Sequence, residues 1–304
     1  MEYIGIDIAK RKFDVSTTKR VYTFSNSPKG FKQLLEVCKK LGDTHCVCEA
    51  TGGYEFELAV FLHENNVRVT VVNPKVIKDF FRCIGANAKT DTLDAIGIRT
   101  YAERMSDRLK IWKAPPLNII KLKRCYRRRD DLLSMITQEN NRLSSETDSE
   151  LKKMIENLIS SFKTQIRLLE TMMKNILKED SKIKLIYDCI AQIDGCGNIT
   201  ALGIITQLSE IGTMTRGEVA ALVGVAPYNN DSGKKNGIRC IRNGRKSLRV
   251  KLYMPTITAM GRNEYIKNFA ERLLKNGKPF KKVVIACMRK LLIYMNSKVK
   301  VLLD

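Results

Sequence analysis

Three short apolar runs crowd the first 25 residues, and the chain beyond them alternates between strand and helix signals. Residues 3–8, 12–16 and 21–24 are rich in Ile, Val, Phe, Tyr and Thr, a composition that predicts three successive strands of a meander. Ser27-Pro28 is a helix-start signal, with Ser as N-cap and Pro at the first helical position. The helix is expected to run to about Leu41. His45 to Cys48 reads as a strand ending at Glu49, and Gly52-Gly53 turns the chain into a helix over 54–65. Val67 to Val72 is a further strand, closed by Asn73-Pro74. Helical periodicity resumes near Lys75, breaks around Gly85 and restarts from Thr90 to Met105. Three strands, helix, strand, helix, strand, helices: this order predicts a mixed sheet flanked by helices.

That element order fits the ribonuclease H-like α/β fold, and four acids fall at telling places in it. Asp7 lies in the first strand among Ile4, Ile6 and Ile8, and Glu49 ends the strand expected beside it. Asp91 and Asp94 are three apart, so a helix puts both on one face, and they also suit a helix N-terminus. A carboxylate inside an apolar strand is costly unless a cation meets it. Four carboxylates gathered at one point call for divalent metal ions, which suit phosphoryl transfer on nucleic acid. Taken singly, Asp91 or Asp94 could simply cap a helix; the ordered set of four is the more specific signal.

Charge points to the partner. The 304 residues carry 54 Lys or Arg against 32 Asp or Glu, a formal net charge of +22. Such an excess suits a polyanion, either nucleic acid or an anionic membrane. No apolar run approaches the ~18 residues of a membrane span. The N-terminus enters a strand pattern with no signal-peptide features, so a cytoplasmic protein working on nucleic acid is expected, with no membrane partner. The nine cysteines are scattered through apolar segments without a C-x-x-C pair and read as buried reduced thiols. With only His45 and His63 as imidazoles, a zinc site is disfavoured.

Beyond the α/β region the composition shifts. Residues 117–180 lack Gly and are dense in charge. Leu151, Ile155, Leu158, Phe162, Ile166, Leu169, Met173 and Ile176 recur at spacings of three and four, an amphipathic helix expected to pair with a helix over 117–147. An antiparallel hairpin and a dimerising coiled coil both satisfy the pattern. From Ile183 onward a helical domain is expected, strongly basic at its end: residues 216–304 hold 20 Lys or Arg and five Asp or Glu.

Two further constellations lie in this last region. Ile193-Asp194-Gly195-Cys196-Gly197-Asn198-Ile199 is a G-x-G turn opening a small-residue helix, like the helix-hairpin-helix element in which backbone N–H groups hold a DNA phosphate. A plain helix–helix turn fits the same residues. The second is Gly224-Val225-Ala226-Pro227 followed by Asp231-Ser232-Gly233-Lys234-Lys235-Asn236-Gly237 and a run containing Arg239, Arg242, Arg245, Lys246 and Arg249. Ser232 sits in a Gly-rich, cation-rich loop with no His nearby, which excludes a Ser–His–Asp triad. A serine attacking phosphorus needs cations around the phosphate, but turn chemistry or a neutral phosphate contact also accounts for a single Ser there.

Taken together, GIDIAKRKFDV, CEATGGYE, KTDTLDA, the IDGCGNITA hairpin and LVGVAPYNNDSGKKNGIRCIRNGRKSLRVKLYM resemble the DEDD-type transposases of insertion sequences, the bridge-RNA-guided recombinases to which pilin-gene invertases are related. The resemblance runs from about residue 3 to about 260. It implies a ribonuclease H-like (RuvC-like) domain over 1–110, a helical coiled-coil linker over 111–182 and a mainly α-helical transposase domain over 183–304. It implies that Asp7, Glu49, Asp91 and Asp94 bind Mg²⁺ or Mn²⁺, and that Ser232 forms a covalent 5′-phosphoserine link to DNA. Lys234, Lys235, Arg239, Arg242, Arg245, Lys246, Arg249, Gly195 and Gly197 would contact nucleic acid. The implied partners are target and donor DNA, a structured noncoding bridge RNA, and further copies of the chain, as dimers assembling to a tetramer. Asp194 stands where the hairpin motif usually has Pro. The rival readings from the residues are a metal-dependent, Holliday-junction-type nuclease acting by hydrolysis, and a non-catalytic nucleic-acid-binding scaffold.

Overall fold

The computed structural model describes residues 1–50, 52–85, 91–229, 237 and 239–303, with the side chain of Asp91 outside the described set. The chain forms two compact units, Met1–Ala114 and Pro115–Asp304.

In the first unit the elements run β1 (Glu2–Ile8), β2 (Lys12–Ser16), β3 (Val21–Ser25), α1 (Pro28–Leu41), β4 (Thr44–Glu49), α2 (Phe56–Glu64), β5 (Arg68–Val72), α3 (Pro74–Cys83) and α4 (Asp91–Arg104). The sheet order is β3-β2-β1-β4-β5. β1, β2 and β3 pair antiparallel, whereas β4 and β5 join parallel to β1. This is the mixed sheet that the element order predicts, with the ribonuclease H-like strand arrangement. Pro28 opens α1 as expected. The Ser27 hydroxyl makes no capping bond; it pairs instead with Ser25 Oγ at 2.8 Å.

Side-chain alternation splits the sheet into two faces. Ile4, Ile6, Ile8, Phe13, Val15, Cys46, Cys48 and Val69 pack with Phe31 and Leu34 of α1 and Leu58 and Leu62 of α2. On the other face Val47 and Val72 pack with Ile77 of α3 and with Ile98, Tyr101 and Ala102 of α4. α4 approaches β1 so closely that a Cβ on Gly5 would lie 2.2 Å from the Ala95 carbonyl oxygen and 2.3 Å from the Arg99 nitrogen. Glycine at this position is what lets the helix seat on the sheet.

His45 is buried on this second face. Thr70 Oγ1 donates to the Lys110 carbonyl, so in its 2.9 Å bond to His45 it accepts from Nε2–H. Burial, reinforced by the Arg68 charge and only partly opposed by Asp43, lowers the imidazole from its ordinary 6.5. The unfolded chain therefore takes up the proton first as pH falls. This contribution to stability is complete above 6.5 and is lost progressively below it. The chain's one tryptophan, Trp112, donates its backbone N–H to Val69 and packs edge-on to Phe56 and His63, so its fluorescence reports this unit. The urea midpoint seen by Trp112 is expected to fall as the pH drops below 6.5, and His45→Gln to flatten that slope. A slope unchanged in the variant rules the mechanism out.

The second unit runs α5 (Leu117–Ser145), α6 (Ser149–Glu179), α7 (Ser181–Ala191), α8 (Asn198–Gln207), α9 (Arg216–Val223), β6 (Pro227–Tyr228), β7 (Cys240–Ile241), α10 (Lys246–Arg262), α11 (Glu264–Lys275) and α12 (Phe280–Leu303). Asp148 caps α6 through the N–H groups of Glu150 and Leu151, and α6 returns along α5, tied to it by a 2.8 Å Arg129–Glu170 ion pair. The seam differs from the sequence expectation. Leu151 and Leu158 are exposed, and Ile159 is buried with Ile166, Met173 and Ile176. Spacing from Ile155 through Ile159, Phe162, Ile166, Leu169 and Met173 to Ile176 alternates strictly between four and three, which keeps one stripe facing the partner helix. Leu158 would break that alternation. At the base of the hairpin, Ile119, Leu122, Tyr126, Met173 and Leu177 share a core with α8, α10 and α12.

Candidate catalytic acids and nucleic-acid interface

The alternation that buries Ile4, Ile6 and Ile8 turns Asp7 to the opposite face, the one Gly5 shares with α4. Glu49 lies on that face too, two residues past Val47. Ile6 pairs with Cys48 in the parallel β1–β4 ladder, so one step further Asp7 and Glu49 are neighbours, on strands about 4.8 Å apart. Both are half-buried. Ala95 and Arg99 of α4 stand over Gly5, while Tyr101 and Ala102 pack with Val47. The helix is thus seated on β1 at Gly5, and its first turn, which holds Asp94, directly precedes that contact. Among the described residues no three His, Cys, Asp or Glu side chains converge as a metal-binding group; the Asp91 side chain lies outside that set. The donors at this strand end are all carboxylate oxygens, the chemistry of Mg²⁺ or Mn²⁺ rather than zinc.

One acid here has no sequence signal of its own. Asp14 is the cross-strand partner of Asp7 in the β1–β2 ladder and is only 3% exposed. Thr23 Oγ1 donates to it, and Lys12 Nζ lies 3.7 Å away. Next along β2, Ser16 Oγ accepts from Arg99 Nε of α4 at 3.2 Å. Asp14 could have been found only by recognising that the F-D-V alternation in β2 sets it opposite Asp7.

In the second unit Ser232, Lys234 and Lys235 lie outside the described residues. The cations C-terminal to them divide into two kinds. Arg239, Arg242 and Lys246 are exposed, with the Arg242 guanidinium over the Tyr228 ring at 5.2 Å. Arg245 and Arg249 are engaged by the fold itself. Arg245 forks onto both Glu210 carboxylate oxygens at 2.9 and 2.6 Å and donates to the Gln207 carbonyl. Burial pushes the Glu210 carboxyl up, but the Arg245 hydrogen bond and charge outweigh it and hold it below its ordinary range. Arg249 Nη1 donates to the carbonyls of Gly224 and Asn243. Arg245 is thus anchored to the end of α8, and Arg249 Nη1 joins the loop after α9 to the turn before α10, so part of each guanidinium is engaged within the protein.

The G-x-G turn is present between α7 and α8. Gly195, at φ +91°, sits so tightly on α10 that a Cβ would lie 2.6 Å from the Ala259 nitrogen; its work is to close the helix packing. Gly197 is exposed and stands as the N-cap of α8 with open space around it.

A family model described as Transposase, of the DEDD IS110 type, matches residues 4–151, and one described as Transposase IS116/IS110/IS902 family matches residues 187–271. The chain belongs to this transposase family. The transposase is also similar to the pilin gene-inverting proteins of Moraxella lacunata and Moraxella bovis, at 28% identity to each, over 95% of this chain and 93% of theirs. A solved structure of T. thermophilus RuvC in complex with Holliday junction substrate aligns with 37% of the chain and 99% of its own at 15% identity and a TM-score of 0.28. The ribonuclease H-like reading of the first unit rests on its strand order and pairing.

Family membership makes the transposase a DNA-recombining enzyme that cuts and rejoins strands. No helix among its described residues is long and apolar enough to cross a membrane. All nine cysteines are free thiols. Cys48 and Cys196 are held above the ordinary thiol range by burial, Cys196 to about 12, so neither is a nucleophile at neutral pH.

Proposed function

We propose that this transposase moves an insertion sequence by serine-dependent strand exchange, guided by a structured noncoding RNA. Ser232 Oγ attacks the scissile phosphorus and its proton passes to water. The P–O3′ bond breaks, leaving a free 3′ hydroxyl and a 5′ phosphate esterified to the serine. On rejoining, a 3′ hydroxyl attacks the same phosphorus, and the serine oxygen departs and regains a proton. Each phosphodiester lost is replaced by another, so no external energy source is needed. Asp7, Glu49, Asp91 and Asp94 hold Mg²⁺ or Mn²⁺, which when bound neutralises charge on the phosphate. Lys234, Lys235, Arg239, Arg242 and Lys246 contact nucleic-acid phosphates.

The adjacency of Asp7 and Glu49 on one sheet face, the face on which α4 is seated with Asp94 in its first turn, carries this reading. The 20 Lys or Arg within residues 216–304 support binding of two polyanions, DNA and guide RNA. The α5–α6 hairpin is read as the linker arm through which protomers assemble, first as dimers and then as a tetramer; Leu151, Met154 and Leu158 are exposed toward its turn. One protomer's acids would then serve another's serine. The enzyme is expected to work in the prokaryotic cytoplasm.

A suicide DNA substrate that releases the short fragment ending in the free 3′ hydroxyl traps the intermediate. Peptide mass spectrometry of the trapped adduct is expected to find the DNA 5′ phosphate on Ser232, with one discrete RNA species co-purifying. Cleavage with no covalent adduct would instead identify a hydrolytic nuclease, and an adduct on another residue would remove Ser232 from the chemistry.

A further inference from the structure

A cavity of about 580 Å³ opens in the second unit between the β6–β7 hairpin and helices α11 and α12. Its apolar wall includes Val225, Ile241, Phe269, Ile285 and Ile293, and cations surround it: Arg239, Lys281, Lys282, Arg289 and Lys290. No acid is among its described lining residues. Lys290 is held over the Tyr265 and Phe269 rings at 4.5 and 5.0 Å. Arg289 differs: its Nε is buried and has no hydrogen-bond acceptor among the described residues. A buried donor of this kind is costly unless something supplies the acceptor.

The two halves of this lining select their occupant. An apolar peptide would leave the cations unneutralised, and a bare phosphate would leave the apolar wall wet. A nucleotide lifted out of its stack presents both matching surfaces, a flat base with apolar faces and phosphates on either side. We propose that the cavity receives one unstacked base of a DNA strand. The Arg289 side chain, which lines the cavity, donates through its guanidinium to a base carbonyl oxygen, and Arg239, Lys281 and Lys282 hold the flanking phosphates. Phe269 and the aliphatic wall replace the stacking that the base gives up. DNA is the committed occupant because strand cleavage and rejoining require strands to be separated locally. The inference rests on DNA being the substrate and is independent of which residue is the nucleophile.

The test measures binding of the full chain to a fluorescent single-stranded DNA oligonucleotide by anisotropy, beside the same strand carrying abasic sites. Wild type is expected to bind the intact strand about five-fold or more tighter than the abasic one. Ile285→Trp fills the cavity, and should weaken binding of the intact strand by a similar factor while leaving the abasic strand unaffected. Arg289→Gln should lose more affinity for the intact strand than for the abasic one, and it carries the comparison alone if Ile285→Trp misfolds by circular dichroism. Equal wild-type affinity for the two strands overturns the proposal. So does base-dependent binding confined to an RNA strand of the same sequence, which would assign the cavity to RNA. A changed oligomeric state in Ile285→Trp with unchanged DNA affinity overturns it as well, giving the cavity to a second copy of the chain. None of these readings involves the covalent adduct, so failure here leaves the Ser232 assignment standing.

Discussion

Asp7→Asn is expected to slow DNA cleavage by about 10³-fold while leaving the fold intact. The amide copies the carboxylate in shape, so the half-buried position beside Glu49 on β4 stays filled. What disappears is one negative charge from the group proposed to hold the metal. Charge stabilisation by a bound cation is worth several kcal/mol in such reactions, and each ~1.4 kcal/mol is a factor of ten. Asp14→Asn makes the informative contrast. Asp14 is buried, accepts from Thr23 and faces Lys12, so its substitution should lower stability by about 1–2 kcal/mol and affect cleavage mainly through folding. Cleavage rates at saturating Mg²⁺, with Trp112 fluorescence as the folding control, separate the two. A wild-type rate in Asp7→Asn would remove the acids from the chemistry altogether.

Gly5→Ala should destabilise the first unit by about 3 kcal/mol and abolish cleavage with it. The added methyl would meet backbone, the Ala95 carbonyl at 2.2 Å and the Arg99 nitrogen at 2.3 Å, and no side chain can swing aside to relieve that contact. α4 must lift from the sheet by about 1 Å to reach ordinary van der Waals distance. The helix carries Asp94 in its first turn, Arg99 bonded to Ser16, and Ile98, Tyr101 and Ala102 in the core. One methyl therefore disturbs the packing and the acids together. The urea midpoint reported by Trp112 measures the first effect and the cleavage assay the second. A midpoint within about 0.5 kcal/mol of wild type would show that α4 does not seat as closely as the geometry requires.

Several features of this protein can be read from residue order alone. β1, β2 and β3, α1, β4 and α2 lie within a residue or two of where apolar alternation, Ser27-Pro28 and Gly52-Gly53 put them, because those signals act locally on the backbone. Motif order was sufficient to suggest the transposase family, since GIDIAK, CEATGGYE and KTDTLDA are short and contiguous. The α6 seam was legible only in part. Counting threes and fours cannot choose between Leu158 and Ile159, because the choice depends on which stripe α5 covers.

The basic segment after Ser232 shows the boundary most clearly. In the sequence Arg239, Arg242, Arg245, Lys246 and Arg249 form one cationic run, all equally suited to phosphate. The fold divides them: Arg245 is claimed by Glu210, 35 residues earlier, and Arg249 by the carbonyls of Gly224 and Asn243. It also sets Asp14 opposite Asp7, presses α4 onto Gly5, and builds a cation-ringed cavity from residues between Val225 and Ile293. Residue order was enough for the elements, the acids at their ends and the sign of the charge, because each is a property of a few adjacent residues. Which charges remain for a ligand was settled in three dimensions, because a charge is neutralised by whatever lies nearest in space, and chain order does not set that distance.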